Sequence, residues 1–151
     1  MAHGDIIVLD LETQKSFEEV GGRDHLGRLL VSIVGIYSYE KDQFVTYSEQ
    51  ELVHLFPVIE EARLIIGFNI KRFDYKVLEP YRHRGLAHLP TLDILEEAVK
   101  VLGHRLRLES LAQATLGRGK AGTGLDAIRY FRQGELEKLK TYCLEDVRVT
   151  R

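Results

Sequence analysis

The chain has one cysteine, one methionine, three prolines and no tryptophan in its 151 residues. A single thiol, Cys143, excludes an intrachain disulfide framework, and no zinc-like spacing pairs it with His3, His25, His54, His83, His88 or His104. Cys143 is expected to be a packing residue. The longest apolar runs, IIVL at 6–9 and LIIGF at 64–68, are strand-length and far short of the roughly 20 residues of a membrane span. The opening MAHGD lacks the basic-then-apolar order of a secretory signal, so a cytoplasmic protein with no membrane anchor is expected. Low-complexity tracts and internal repeats are missing too, which argues against disorder and against a solenoid. Nor does either charge sign dominate: the formal net charge is −2, which taken alone speaks against a nucleic-acid partner.

That average hides a local asymmetry. Between Lys100 and Lys120 stand Lys100, Arg105, Arg107, Arg118 and Lys120 against one acid, Glu109, while the rest of the chain is acidic. Such a balance is expected if several carboxylates gather to hold cations. With 44% hydrophobic and 29% charged residues, the whole span 1–151 reads as one α/β domain. Its end at Arg151, directly after a motif-bearing segment, leads us to expect a domain cut from a longer polypeptide.

Periodicity orders the elements. Asp5 to Leu11 is a short β-branched run, hence a buried strand with acids at its end. Residues 14–28 hold three glycines without a period and read as a loop. Leu30–Tyr39 and Gln43–Tyr47 read as two strands joined through Glu40, Lys41 and Asp42 as a hairpin. Ser48 and Glu51 form a capping box ahead of Leu52, Leu55, Phe56, Ile59 and Ala62 at helical spacing. Pro57 predicts a kink or break there, since an interior proline costs roughly 3 kcal/mol. Arg63–Phe68 then reads as a strand, Asn69 as a helix cap, Lys71–Arg84 as a helix and Pro90–Asp93 as a short strand. Helices follow over 94–101, 108–116, 125–133 and 135–149. The order βββαβαβ, then helices, predicts a mixed five-stranded sheet, three antiparallel strands first and parallel strands after, with helices on both faces.

Three short motifs carry the chemistry. VLDLET holds Asp10 and Glu12, which two residues apart on a strand project from one face; alone, the pair fits two solvated acids at a strand-to-loop junction about as well. YCLED holds Tyr142 and Asp146, one helical turn apart, and alone fits a core tyrosine beside an exposed acid better. GFNIKRFDYKVL combines a strand, a glycine, a capping asparagine and an aromatic before an acid: Gly67, Phe68, Asn69, Phe73 and Asp74.

In this order the set resembles the three exonuclease motifs of proofreading domains in family B DNA polymerases, and so the tyrosine-bearing DEDDy branch of the DEDD 3'-5' exonucleases, over residues 5 to 150. The resemblance implies a ribonuclease H-like fold. It implies that Asp10, Glu12, Asp74 and Asp146 are the four metal-binding acids and that Tyr142 lies beside the attacking water. The histidine branch carries His five residues before the last Asp, where this chain has Thr141. Asn69 matches the polar residue before the second-motif helix, where capping is the plainer role. Asp93, in PTLDIL, resembles a further acid of the family, in a structural or supporting role.

The implied chemistry is hydrolysis of a phosphodiester, with two divalent ions roughly 3.5 to 4 Å apart activating water and stabilising the leaving 3'-oxygen. Hard oxygen ligands suit Mg²⁺ or Mn²⁺. By analogy Asp10 bridges both ions, Glu12 and Asp146 complete the site of the water-activating ion, and Asp74 serves the second. Tyr142, with an ordinary pKa of about 10, orients the nucleophile. The expected activity is 3'-5' removal of nucleoside 5'-monophosphates from single-stranded nucleic acid, DNA favoured. An exoribonuclease and a catalytically silent nucleic-acid-binding module stand as alternatives. Candidate substrate contacts are Gln14, Lys15 and Ser16, Phe17 by stacking on the terminal base or else in the core, Asn69, and Arg118 and Lys120 in the glycine-rich GRGKAGTG, as backbone followers or as a solvated loop. That stretch is not a P-loop, because Ala121 follows Gly119-Lys120 and no strand leads into it.

Overall fold

The structure, a computed structural model, describes residues 4–82, 84–104, 107–108, 110 and 123–151. Five strands form one sheet: β1 (Ile6–Thr13), β2 (Val31–Ser38), β3 (Gln43–Ser48), β4 (Leu64–Gly67) and β5 (Thr91–Asp93), in the order β3-β2-β1-β4-β5. β1, β2 and β3 are antiparallel neighbours, and β4 and β5 run parallel to β1. The mixed five-stranded sheet expected from the sequence is therefore the one observed. The helices are α1 (Leu52–Glu61), α2 (Tyr75–Leu78), α3 (Ile94–Leu102), α4 (Gly124–Arg132) and α5 (Leu136–Thr150). No helix among the described residues is long and apolar enough to cross a membrane.

Side-chain alternation along β1 sorts the core into two layers. Ile7, Leu9 and Leu11 pack on one face of the sheet with Leu55 and Ile59 of α1 and Val77 and Leu78 of α2. Val8 packs on the other face with Val147 of α5, where Ile33, Ala127, Leu139 and Cys143 form a neighbouring cluster. Each such fully buried aliphatic side chain contributes about 1.5 to 3 kcal/mol. Asp10 and Glu12, in phase with Val8, consequently lie on the α5 side.

Several boundaries differ from the expected ones. β1 continues through Asp10 and Glu12 to Thr13, so the acids lie within the strand, and the register with β2 slips between Glu12 and Thr13. β2 starts after Leu30, whose φ of 61° no extended strand accommodates. The 14–28 segment contains two short helical turns, Glu18–Val20 and Leu26–Arg28. The Ser48–Glu51 capping box forms, with the Ser48 N–H donating to Glu51 Oε1 at 2.9 Å. Pro57 leaves α1 in one piece. Its ring is on the exposed side, and the carbonyl it deprives of a donor belongs to Val53, 68% exposed, where water can serve it.

The helix expected over 71–84 is shorter and uneven: a π turn (Ile70–Asp74), then α2, then a 3-10 turn (Glu79–Tyr81). Pro80 permits that last turn but offers no N–H to extend the helix. The helix expected over 108–116 lies, Leu108 and Ser110 apart, outside the described residues.

Candidate active site

Asp10 and Glu12 reach one face of β1, and the last helix is brought down onto them. Asp10 is paired with Gly35 of β2. A Cβ at Gly35 would stand 3.0 Å from Cys143 Sγ and 3.2 Å from Val147 Cγ2, so the missing side chain is what lets α5 approach the sheet. Cys143 Sγ–H points to the Asp10 carbonyl oxygen at 3.7 Å. Tyr142 and Asp146, one turn apart on α5, are thereby carried over β1. Ligand oxygens of Asp10, Glu12 and Asp146 all fall within 4.8 Å of one another.

Asp74 arrives by another route. At the end of β4 the chain turns so tightly that a Cβ on Gly67 would lie 2.7 Å from Ile70 Cβ. Asn69 follows in the left-handed conformation, φ 57°, and the π turn delivers Asp74 into the interior at 2% exposure. Helical turns of that kind recur at functional sites. The cap expected from the Asn69 side chain is absent; Asp93, at the end of β5, supplies it. Its Oδ1 accepts from the N–H groups of Asn69 at 2.9 Å, Leu95 at 3.0 Å and Glu96 at 3.3 Å, and its Oδ2 accepts from that of Lys71 at 3.1 Å. One carboxylate thus ties the start of α3 to the turn that presents Asp74.

Like charges so close together raise one another's energy. At 4 to 5 Å and an effective dielectric constant near 20, each pair of carboxylates repels by on the order of 4 kcal/mol. Burial pushes the Asp74 carboxyl well above the usual carboxylate range; the charges of Asp93 and Asp146 push the same way, against backbone hydrogen bonds at its own amide and at Leu11. Its Oδ2 has no hydrogen-bond partner among the described residues. Burial likewise raises the Tyr142 phenol far above its ordinary value, with Glu12, Asp146 and Asp10 adding to the shift. At neutral pH that phenol is a hydrogen-bond donor, not a base. Asp10, Glu12 and Asp146 are close enough to share a hard divalent cation; Asp74, with its unused buried oxygen, lines the same cleft but stands outside that close group.

Asp10, Glu12, Asp74 and Asp146 line a cleft of about 840 Å³ at the carboxyl ends of the parallel strands β1, β4 and β5, the position where open α/β sheets take ligands. Lys15, Ser16, Phe17 and Asn69 line it as well. Phe17 does both things the sequence allows: it faces the cleft and packs edge-on against Phe73, centroids 5.9 Å apart. Gln14 is not brought there, because its Nε2 donates to the Val31 carbonyl at 2.9 Å. Tyr142 is 6% exposed and lies in the layer below the cleft wall, packed with Ile33, Ala127 and Leu139. Arg118 and Lys120 lie outside the described residues.

The RNase_H superfamily profile matches residues 10–151. The chain belongs to the RNase_H superfamily. No curated protein sequence matches it. Among solved structures, this RNase_H-superfamily chain is similar in fold to the family B DNA polymerase of the hyperthermophilic archaeon Pyrobaculum calidifontis. The TM-score is 0.71 at 16% identity, over 98% of this chain and 24% of the polymerase chain. This chain therefore spans about a quarter of the length of that polymerase.

Proposed function

We propose that the chain is a DEDDy-type, metal-dependent 3'-5' exonuclease acting on single-stranded nucleic acid, DNA in preference to RNA. The observation that carries the reading is the convergence of Asp10, Glu12 and Asp146 within 4.8 Å beside the buried, unused oxygen of Asp74. Asp10, Glu12, Asp74 and Asp146 would hold two divalent ions, Mg²⁺ or Mn²⁺, which when bound would supply an activated water and charge stabilisation of the leaving 3'-oxygen.

The chain's own groups do the rest. Tyr142, kept protonated by burial among acids, would orient the nucleophile by a hydrogen bond once its hydroxyl turns toward the acids from the layer beneath the cleft wall. Phe17 offers an aromatic face to the terminal base at the cleft wall, and Lys15 and Asn69 offer polar contacts to the terminal nucleotide. The apolar wall formed by Leu11, Leu29 and Ile128 limits water around the scissile bond. Release of a nucleoside 5'-monophosphate follows from attack of water on the phosphorus and cleavage of its bond to the 3'-oxygen of the preceding nucleotide, which leaves as the new 3'-hydroxyl of the strand.

Matched DNA and RNA single strands, labelled at the 3' or the 5' end and incubated with Mg²⁺, Mn²⁺ or chelator, test polarity and sugar preference together. The 3' label should leave first as a mononucleotide, the 5'-labelled strand should shorten stepwise, and chelator should stop both. Internal fragments from the outset would refute the exonuclease polarity, and preferential loss of RNA would replace DNA as substrate.

A further inference from the structure

A second groove, of about 450 Å³, lies beside the cleft and is lined by Arg23, Lys71, Arg72 and Lys76 with only two acids, Asp24 and Glu79. Four cations against two acids is a local excess of positive charge on a chain whose formal net charge is −2. All four cations are exposed. The Lys71 Nζ meets Glu96 at 3.2 Å and the Lys76 Nζ meets Glu79 at 3.5 Å, solvent-facing pairs of small energy that a phosphate can displace.

The two depressions share their dividing wall. Along the turn after β4, Asn69, Phe73 and Asp74 face the cleft while Lys71, Arg72 and Lys76 face the groove. On the other side, Phe17 lines the cleft and the Arg23 guanidinium, which lines the groove, sits 4.5 Å over the Phe17 ring. The Phe17–Phe73 edge contact is thus a low apolar sill between acids and cations. A single strand with its terminal nucleotide over the acids would then place its next bases at this sill and its following phosphates over the groove.

We propose that the groove of Arg23, Lys71, Arg72 and Lys76 holds the sugar-phosphate backbone of the single strand upstream of the nucleotide being removed. This rests on the exonuclease reading above for its direction, but the grip itself is electrostatic and needs no turnover. Attraction to phosphates at the groove offsets the repulsion that four carboxylates exert on the same strand, so longer strands bind better than dinucleotides.

The test is binding of an end-labelled oligothymidylate roughly a dozen nucleotides long, within the range of single-strand site sizes, followed by fluorescence anisotropy across a salt series. It is run in chelator and again in Ca²⁺, a hard cation suited to the same oxygen ligands. The variant is Arg72→Gln with Lys76→Gln; the control, at the opposite end of the sheet, is Lys41→Gln with Arg63→Gln. Loss of two phosphate contacts should lower the slope of log affinity against log salt by roughly 1.4, about 0.7 for each contact on a single strand. The control should leave the slope unchanged. Equal slopes and affinities for variant and unsubstituted chain would overturn the groove, as would failure of the unsubstituted chain to bind the strand. A reduced slope in a chain that degrades nothing would keep the groove and sink the exonuclease reading. Normal degradation with an unchanged slope would do the reverse.

Discussion

Asp74 and Arg72 are two residues apart, yet the carboxylate is 2% exposed with its pKa raised by burial, whereas the guanidinium stands in solvent on the far side of the same turn. The contrast extends to the regions they belong to. In the cleft, acids are packed against one another under α5, where a charge without compensation costs several kcal/mol. In the groove, cations are screened and act on a polyanion over a Debye length of about 8 to 10 Å. Interior charges should therefore fail in an all-or-none way when one is removed, and exterior ones by degrees that depend on salt.

The largest effect is expected from Asp146→Ala. If the acids act as a unit, hydrolysis should fall by roughly 10³-fold or more, measured as mononucleotide release, while strand affinity at the groove stays. Tyr142→Phe comes next. Removing one donor that positions the nucleophile should lower the rate about 10²-fold while Mn²⁺ binding, followed by paramagnetic resonance, is unchanged; full activity would remove the role.

Asp93→Ala tests the frame that separates the two faces of the turn. Four backbone donors lose their acceptor, so thermal denaturation should show a loss of about 2 kcal/mol, one cap's worth for each of the two segments. Hydrolysis should drop with it because Asp74 is held through that turn. The smallest effect belongs to a tyrosine outside the cleft. Tyr81 donates to Glu49 Oε2 at 2.6 Å and accepts from the Val31 N–H at 2.9 Å, and burial, then Glu49, pushes its phenol up to about 12. An unfolded tyrosine ionises near 10, so this contribution is complete below about pH 10 and is lost as pH rises through the folded value. Tyr81→Phe should cost about 1 kcal/mol at neutral pH, measured by denaturant titration, flatten the alkaline loss between those two values and leave hydrolysis intact.

How much of this could be read from the sequence follows from the range of each interaction. Strands β1, β2 and β4 were legible as apolar runs bounded by turn residues, β3 as the second arm of a hairpin and β5 as a short segment after Pro90, and the spacings of Asp10 with Glu12 and of Tyr142 with Asp146 fix their faces locally. Asp93 as a shared cap was not legible as such: its partners Asn69 and Lys71 lie more than twenty residues away, and Asn69 carries the stronger local signal for the role. Gly35 shows nothing in sequence beyond a glycine within a strand; only contact with α5 reveals its purpose. Of the groove cations only Arg72 and Lys76 stand four apart, the spacing of one helix face, and the basic residues dense enough to stand out in sequence are those from Lys100 to Lys120.

Joint binding of divalent ions by the four acids is the property on which the cleft's chemistry depends most directly. Titration of Mn²⁺ into the chain should show saturable binding, approaching two ions when all four carboxylates act as a pair of sites, displaced by excess Mg²⁺ and lost in Asp10→Ala. Absence of bound Mn²⁺, or binding undisturbed by that substitution, would contradict it.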